Sequence, residues 1–336
     1  MKPATSKTET PPGKKKEEKK APQTPQKIEA RDPRPEPSQQ VIVGNRYTIA
    51  WFFDIKNGNP NGDPGAGGIP RTYALTGHGF VTDVCLKRKL RNYVNAQREG
   101  APGFNIFVEE GTILNRIIEE AHVANGVDLN APTASGDKRM KAGSAQGEEI
   151  PLAQNYLCRH FWDIRAFGAV ASTGANAGQI TGPVTVTFAE SMAPLEYADV
   201  TITRCAVASE AESVDHNGAN QTMGKKYAVP YALYRASVYV SPLRAAKTGM
   251  GEDDLGLLLN GLRELWDFDR SASRGEMSTV RLVVFRHEYR LGNAHDSDLQ
   301  ARVQARALVP VPRKASDYEI IVDQDNLPPG VTVTVF

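Results

Sequence analysis

The residues best suited to chemistry lie in one stretch, Asp54 to Val94, where cations and glycines are concentrated. From residue 86 onward the spacing predicts a helix with two different faces. Apolar side chains fall on one face, and a neighbouring face carries Lys87, Arg88, Arg91 and Arg98. A cationic helix beside a glycine-rich loop suits an extended polyanion such as a nucleic acid. The alternative is an ordinary hydrated surface, because basic runs are common and not specific.

Three carboxylates in the same stretch raise a second hypothesis, that of a metal-dependent ribonuclease. Asp54, Asp63 and Asp83 could converge on a magnesium ion, as nuclease carboxylates do. However, Asp83 also fits the first turn of a helix capped by Thr82, and Asp63 also fits a turn. The glycine-rich loops lack the phosphate-loop and dinucleotide patterns, and the histidines lack metal-ligand spacing. The residues therefore give no positive reason to predict an enzyme, a cofactor or a metal.

Charge and cysteine usage bound the class of protein. The net charge is +1, but residues 1–40 carry ten Lys/Arg against six Asp/Glu, so the remaining chain is slightly acidic. A polyanion site in the body must therefore be a local concentration of cations. Three widely separated cysteines and the lack of a long apolar run predict a cytoplasmic protein with no membrane partner.

The elements that must position these residues predict an α+β fold of the split βαβ type with long insertions. The apolar runs Tyr47–Phe53, Phe104–Val108 and Val280–Phe285 are predicted strands. Residues 1–44 contain almost no large apolar side chains and are predicted to be a disordered tail. Residues from about 124 to 152 are polar and aperiodic, which predicts a surface insertion.

Six sequence blocks, in one order between Arg46 and Asn293, resemble the backbone subunit of the type I-C CRISPR Cascade complex. They are DIKNGNPNGDP, VTDVCLKRKLRNYV, WDIRAFGAVASTGANAGQITGPVTVTF, MGKKYAVPYALYRA, WDFDRSASRGEM and HEYRLGN. The resemblance implies an RRM-like (ferredoxin-like) palm at about residues 45–295, with long insertions forming a thumb and a finger/web region. The thumb is expected at about 208–226, and residues 296–336 are expected to pack on the palm.

The resemblance also implies a function. Members of this family are non-catalytic and stack in several copies along the spacer of a CRISPR RNA, displaying its bases for pairing with target DNA in antiviral defence. The implied partners are neighbouring copies, the crRNA-handle-binding, large and small subunits, and a nuclease-helicase recruited later. Since spacers differ in sequence, the protein must hold the RNA backbone and leave specificity to base pairing.

The residues expected to contact RNA share a positive charge or a small polar group beside a glycine-rich turn. They are Arg71, Lys87, Arg88 and Arg91 around the helix, Ser172, Thr173 and Gln179 in the second glycine-rich loop, and Arg270 and Arg274 in the SASRG turn. In the expected thumb, Met223 is the candidate wedge, because an unbranched and polarizable side chain can enter between bases. Lys225 and Lys226 would hold phosphates beside it.

Overall fold

The computed structural model describes residues 40–130, 147–206, 210 and 222–336. The predicted tail up to residue 39, the middle of the predicted surface insertion and most of the predicted thumb lie outside these ranges. Within them, no helix is long and apolar enough to cross a membrane.

The bounds of the elements are as follows. The helices are α1 (Asp83–Gln97), α2 (Leu114–Ala124), α3 (Glu149–His160), α4 (Trp162–Phe167), α5 (Pro242–Thr248), α6 (Glu252–Phe268) and α7 (Asp296–Ala301). The strands are β1 (Arg46–Gly58), β2 (Gly62–Asp63), β3 (Ile69–Pro70), β4 (His78–Val81), β5 (Gly168–Ala171), β6 (Gly178–Thr181), β7 (Val184–Val186), β8 (Ala189–Pro194), β9 (Ala198–Arg204), β10 (Thr222–Val240), β11 (Glu276–His287), β12 (Val303–Ala307), β13 (Tyr318–Val322) and β14 (Val331–Val335).

The first strand lies inside the main sheet. This sheet is antiparallel with the order β14-β11-β1-β10-β8-β4, and β7 and β9 also pair with β10. Trp51 and Phe53 face one hydrophobic cluster, and Phe52 faces another on the opposite side. Burial on both faces explains why the sequence of β1 is continuously apolar instead of alternating. The predicted strand is confirmed, and it continues to Gly58.

Helices α1 and α6 cover one face of the sheet. The apolar face predicted for α1 is confirmed, since Leu86 and Leu90 are fully buried, and Leu262 of α6 is fully buried in the same cluster. Trp266 stacks on Trp51 of β1 with ring centroids 5.9 Å apart. The spacing of apolar residues therefore fixes both helices on this face.

The other face is covered by the C-terminal part of the chain. Leu299 of α7 and Val303 of β12 pack in one cluster with Phe52 and Phe285 of the sheet. Asp296 of α7 accepts hydrogen bonds from β1, and β14 extends the sheet beside β11. Phe52 and Phe285 are thus fully buried.

A separate helical lobe is formed by α2, α3, α4 and the β5–β6 hairpin around their own hydrophobic cluster. The predicted strand Phe104–Val108 is wrong, because this segment runs along the lobe outside any sheet. The backbone N–H groups of Phe107 and Val108 donate to the carboxylate of Asp163, at 2.8 and 3.1 Å. A buried side chain thus satisfies the donors that a strand partner would have taken.

Candidate nucleic-acid interface

The loop that follows β1 is fixed to the start of α1. Asn61 Oδ1 accepts hydrogen bonds from both the backbone N and the Oγ1 of Thr82, each at 3.1 Å. Thr82 in turn caps the helix by accepting from the backbone N of Cys85, as its sequence position predicts. The glycine- and asparagine-rich loop is therefore held against the basic helix.

The SASRG turn meets the same loop. The backbone N of Asn59 donates to Ser273 O at 2.7 Å, and a Cβ placed on Gly58 would lie 2.5 Å from that oxygen. Glycine is required here, because any side chain would push the two loops apart. Lys226 Nζ donates to Ala272 O at 2.7 Å, which joins the beginning of β10 to the turn.

Three cations converge at this junction: Arg71 from the loop end, Lys89 from α1 and Arg274 from the turn. We call them the cationic cluster. Burial raises the pKa of Cys85; the charges of Lys89, Arg274 and Arg71 oppose this rise and that of Asp269 adds to it, so all four groups lie near the thiol. Asp269 is shared by Lys89 and Arg274, at 2.7 and 2.8 Å. Because one carboxylate serves two cations, positive charge remains beside the loop.

Arg270 serves the shape of the turn. Its guanidinium donates to Gly275 O at 3.0 Å and lies 3.2 Å from the carboxylate of Asp267. The side chain is exposed. It therefore borders the cationic cluster and stays accessible to solvent.

The cations predicted on the face of α1 are largely neutralised within the chain. Lys87 lies 2.9 Å from Asp83, one helical turn earlier. Arg91 donates from Nε to Asp163 at 2.7 Å, and its side chain is only 11% exposed. Within the described ranges no carboxylate lies within ion-pair distance of Arg88. The expected continuous cationic face is thus reduced to Arg88 and to Lys87, whose weak surface ion pair with Asp83 can be exchanged for a contact with another anion.

The second glycine-rich loop belongs to the helical lobe. Ser172 and Thr173 are exposed at the tip of the β5–β6 hairpin, where Thr173 donates to Asn115 Oδ1 of α2 at 2.7 Å. Gln179 lines a cavity beside α3 and α5. The structure therefore places these three residues apart from the SASRG turn.

A two-stranded arm leaves the sheet. The first part of β10 pairs with β9 in an antiparallel ribbon, and every residue of β9 is exposed. Met223 is 81% exposed, and Lys225 lies on the same ribbon face, 3.1 Å from Asp199. The arm starts beside the SASRG turn, where Lys226 makes its contact.

The three carboxylates of the ribonuclease hypothesis occupy different settings. Asp63 caps Gly65 and lies 3.5 Å from Arg71, and Asp83 pairs with Lys87. Asp54 follows Phe52 on the sheet face that the C-terminal part covers, and burial raises its pKa. Among the described residues, no three His, Cys, Asp or Glu side chains are grouped to hold a metal ion.

The raised pKa of Asp54 gives a test of its role. Ionisation of Asp54 costs folding free energy that grows as the pH rises from the ordinary pKa of 3.8 to the raised one and is complete above it, so Asp54→Asn should raise the melting temperature at pH 7. The gain should shrink as the pH falls toward 4, where the wild-type carboxyl becomes protonated. Asp83→Asn, which removes an ion pair, should give no such gain. A lower melting temperature for Asp54→Asn, with loss of magnesium-dependent RNA cleavage, would restore the ribonuclease hypothesis.

Comparison with known proteins places the chain in a family. The model of the family described as CRISPR-associated protein Cas7 matches residues 45–323. The chain belongs to the Cas7 family. A Cas7 protein of Haloferax volcanii is 37% identical over 86 residues, which are 25% of this chain and 24% of that protein. The chain thus matches about a quarter of the length of this curated relative.

Two solved structures show weaker similarity to this Cas7 family member. A chain of a CRISPR RNA-guided surveillance complex in a pre-nicking state aligns with a TM-score of 0.45 and 15% identity, over 71% of this chain and 78% of that one. A chain of a Type III-B Cmr-beta complex bound to cognate target RNA aligns with a TM-score of 0.38 and 11% identity, over 71% and 61%. The Cas7 assignment rests on the family match alone.

Sequence reasoning missed Lys89 in this Cas7 family member. Its side chain is 9% exposed and paired with Asp269, so it has the burial of a structural residue. The available signal was its spacing, since Lys89 lies one turn after Cys85 on the side of α1 that faces the loop. Sequence reasoning also missed the structural role of Asn59 and Asn61, whose side chains accept or donate the hydrogen bonds that hold the loop.

Proposed function

We propose that this Cas7 family member is a non-catalytic backbone subunit that binds CRISPR RNA in antiviral defence. The observation that carries the proposal is the convergence of Arg71, Lys89 and Arg274 beside a loop rich in glycine and asparagine, which offers backbone N–H and side-chain amide groups. Cations with small polar donors suit a phosphate backbone and offer no base-edge discrimination. The protein would hold the spacer of the RNA and leave its bases free to pair with target DNA.

We further propose that the sheet and its two covering helices are the RRM-like palm. β1 leads through α1 to β7 and β8, and β10 leads through α6 to β11. In the sheet, β10 lies between β1 and β8, and β1 lies between β11 and β10. Each of the two units therefore has a strand of the other unit between its own strands. This interlocking is the split βαβ arrangement. The C-terminal part occupies the face that an open RRM sheet uses for bases, which leaves the loops for RNA.

The arm of β9 and β10 is proposed to be the thumb, and the helical lobe to be the finger/web region. An exposed ribbon that contacts little of its own domain suits a role in assembly. The further proposed partners are neighbouring copies and the crRNA-handle-binding, large and small subunits of a type I-C Cascade. A nuclease-helicase would join the cytoplasmic complex later.

Met223 offers the direct test. Nuclease digestion of the protein bound to a long single-stranded RNA should leave fragments at one regular interval, because a wedge displaces a base once per copy. Met223→Ala should blur this ladder while binding persists. Ile202→Ala is the matched control, since Ile202 is a half-exposed apolar residue on the opposite face of the arm.

Two results would contradict the proposal. Filaments that form without RNA and survive nuclease treatment would make the chain a self-associating structural protein. RNA cleavage by the purified chain, abolished by Asp63→Ala, would make it a ribonuclease. Protection without a regular interval would leave RNA binding intact and remove the wedge role of Met223.

A further inference from the structure

A cavity of about 760 Å³ lies between α3, β6 and α5. Gln40 and Ile42, which precede β1, also line it. The cavity is therefore near the beginning of β1, whereas the cationic cluster lies beside Gly58 at the end of the same strand. It is a second surface, at the other end of the sheet.

The charged residues of the cavity lining are cations. Its cations are Arg159, Arg165, Arg244 and Lys247, and no Asp or Glu is among its described lining residues. Arg165 is 2% exposed and forms a two-point ion pair with Asp254, so it builds a rigid wall.

The other wall of the cavity carries accessible charge. Arg244 and Lys247 are exposed, three residues apart on α5. In the part of the chain that the structure describes, neither lies within ion-pair distance of a carboxylate. Two side chains at this spacing point in the same direction, so their charges add at the mouth of the cavity.

The remaining lining discriminates between classes of ligand. It offers amide and hydroxyl groups from Asn155, Gln179 and Thr181, and none of its described lining residues is aromatic. Bases stack on aromatic side chains, so the described lining offers them no stacking surface. Phosphate oxygens need only cations and hydrogen-bond donors, which the cavity supplies.

We propose that this cavity is a second nucleic-acid site, which binds the phosphate backbone of a single strand independently of the cationic cluster. This site goes beyond the proposed holding of CRISPR RNA. The strand can be RNA or single-stranded DNA, because the cavity recognises the phosphodiester that the two share.

The test compares charge reversals in the full chain. Arg244→Glu with Lys247→Glu should weaken binding of labelled single-stranded DNA and RNA by about tenfold relative to the control, measured by fluorescence anisotropy. The control is Arg281→Glu with Arg290→Glu, which makes the same charge change at two exposed positions, one on β11 and one in the loop that follows it. The salt dependence should flatten by about 1.4 in logarithmic slope if two phosphate contacts are lost.

A second variant separates the cavity from surface charge. Ala246→Leu leaves every charge in place, fills the lining and adds no aromatic surface on which a base could stack, so it should also weaken binding. Circular dichroism checks that each variant is folded. Comparing DNA with RNA of the same sequence identifies the strand, and equal losses for both support the shared phosphate chemistry.

Three outcomes would overturn the inference. Both variants could match the control, or Ala246→Leu could bind like the wild type. Alternatively, a glutamate-rich peptide could bind in the cavity as tightly as the nucleic acids and be lost in the same variants, which would make it a protein-docking site. Failure of the proposed RNA-holding function would instead show as no loss of RNA affinity beyond the control when Arg71 and Arg274 are both replaced by alanine.

Discussion

Replacing Arg71 and Arg274 together by alanine is expected to lower affinity for single-stranded RNA about thirtyfold at low salt. Without Arg274, Asp269 neutralises Lys89 completely, and without Arg71 the carboxylate of Asp63 loses its nearby cation. The surplus positive charge beside the loop then disappears. Filter binding at several salt concentrations measures the loss.

The pattern of this loss matters as much as its size. RNAs of different sequence should weaken about equally, because phosphate contacts carry no sequence information. Arg281→Ala with Arg290→Ala, which removes the same charge elsewhere on the exposed surface, should cost far less. A loss confined to some sequences would mean that the two arginines read bases. A loss no larger than that of the control would remove the cationic cluster as the RNA site.

Asp163→Ala is expected to destabilise the fold by about 4 kcal/mol. The carboxylate is fully buried and accepts from Arg91 Nε at 2.7 Å and from the backbone N of Phe107 and Val108. Alanine leaves one buried cation and two backbone donors unsatisfied where α1 meets the helical lobe. Urea unfolding followed by circular dichroism measures the change.

Asp83→Ala is the matched control for this prediction. It removes the carboxylate that pairs with Lys87 on the surface of the same helix, so it should cost less than about 1 kcal/mol. If Asp163→Ala also stays below that value, Arg91 is not a structural residue and becomes available to RNA. Otherwise Arg91→Ala should reduce stability more than RNA affinity.

Periodicity predicts the elements whose burial is one-sided or complete. The stripes of α1 and α6 and the continuous run of β1 specify their positions, because side-chain direction follows helix or strand geometry. The segment Phe104–Val108 has the same apolar composition as a strand. Its backbone partner is the side chain of Asp163, more than fifty residues later, and no local pattern contains that information.

The residues of the candidate site could be predicted from the sequence only in part, for a similar reason. Residue type marks Arg71, Arg88 and Arg274 as cations, but whether a cation is accessible depends on carboxylates that the fold brings to it. Arg91 receives Asp163, whereas Arg88 receives no described partner. Glycine and asparagine in the first loop indicated a turn, and their contact with the SASRG turn required the tertiary structure.

The position of β1 has a consequence for how the chain folds. Tyr47 pairs with Val240 on one side and with Arg286 on the other, so both neighbours of this strand come from much later in the sequence. Contacts between residues so far apart in sequence make folding slow, because the chain loses the entropy of closing large loops before strand pairing can stabilise it. During synthesis, the apolar first strand must wait for β10 and β11 to emerge. The helical lobe, whose cluster runs only from Phe107 to Ile180, can assemble first, and holdase chaperones should bind the nascent chain through β1 during that interval.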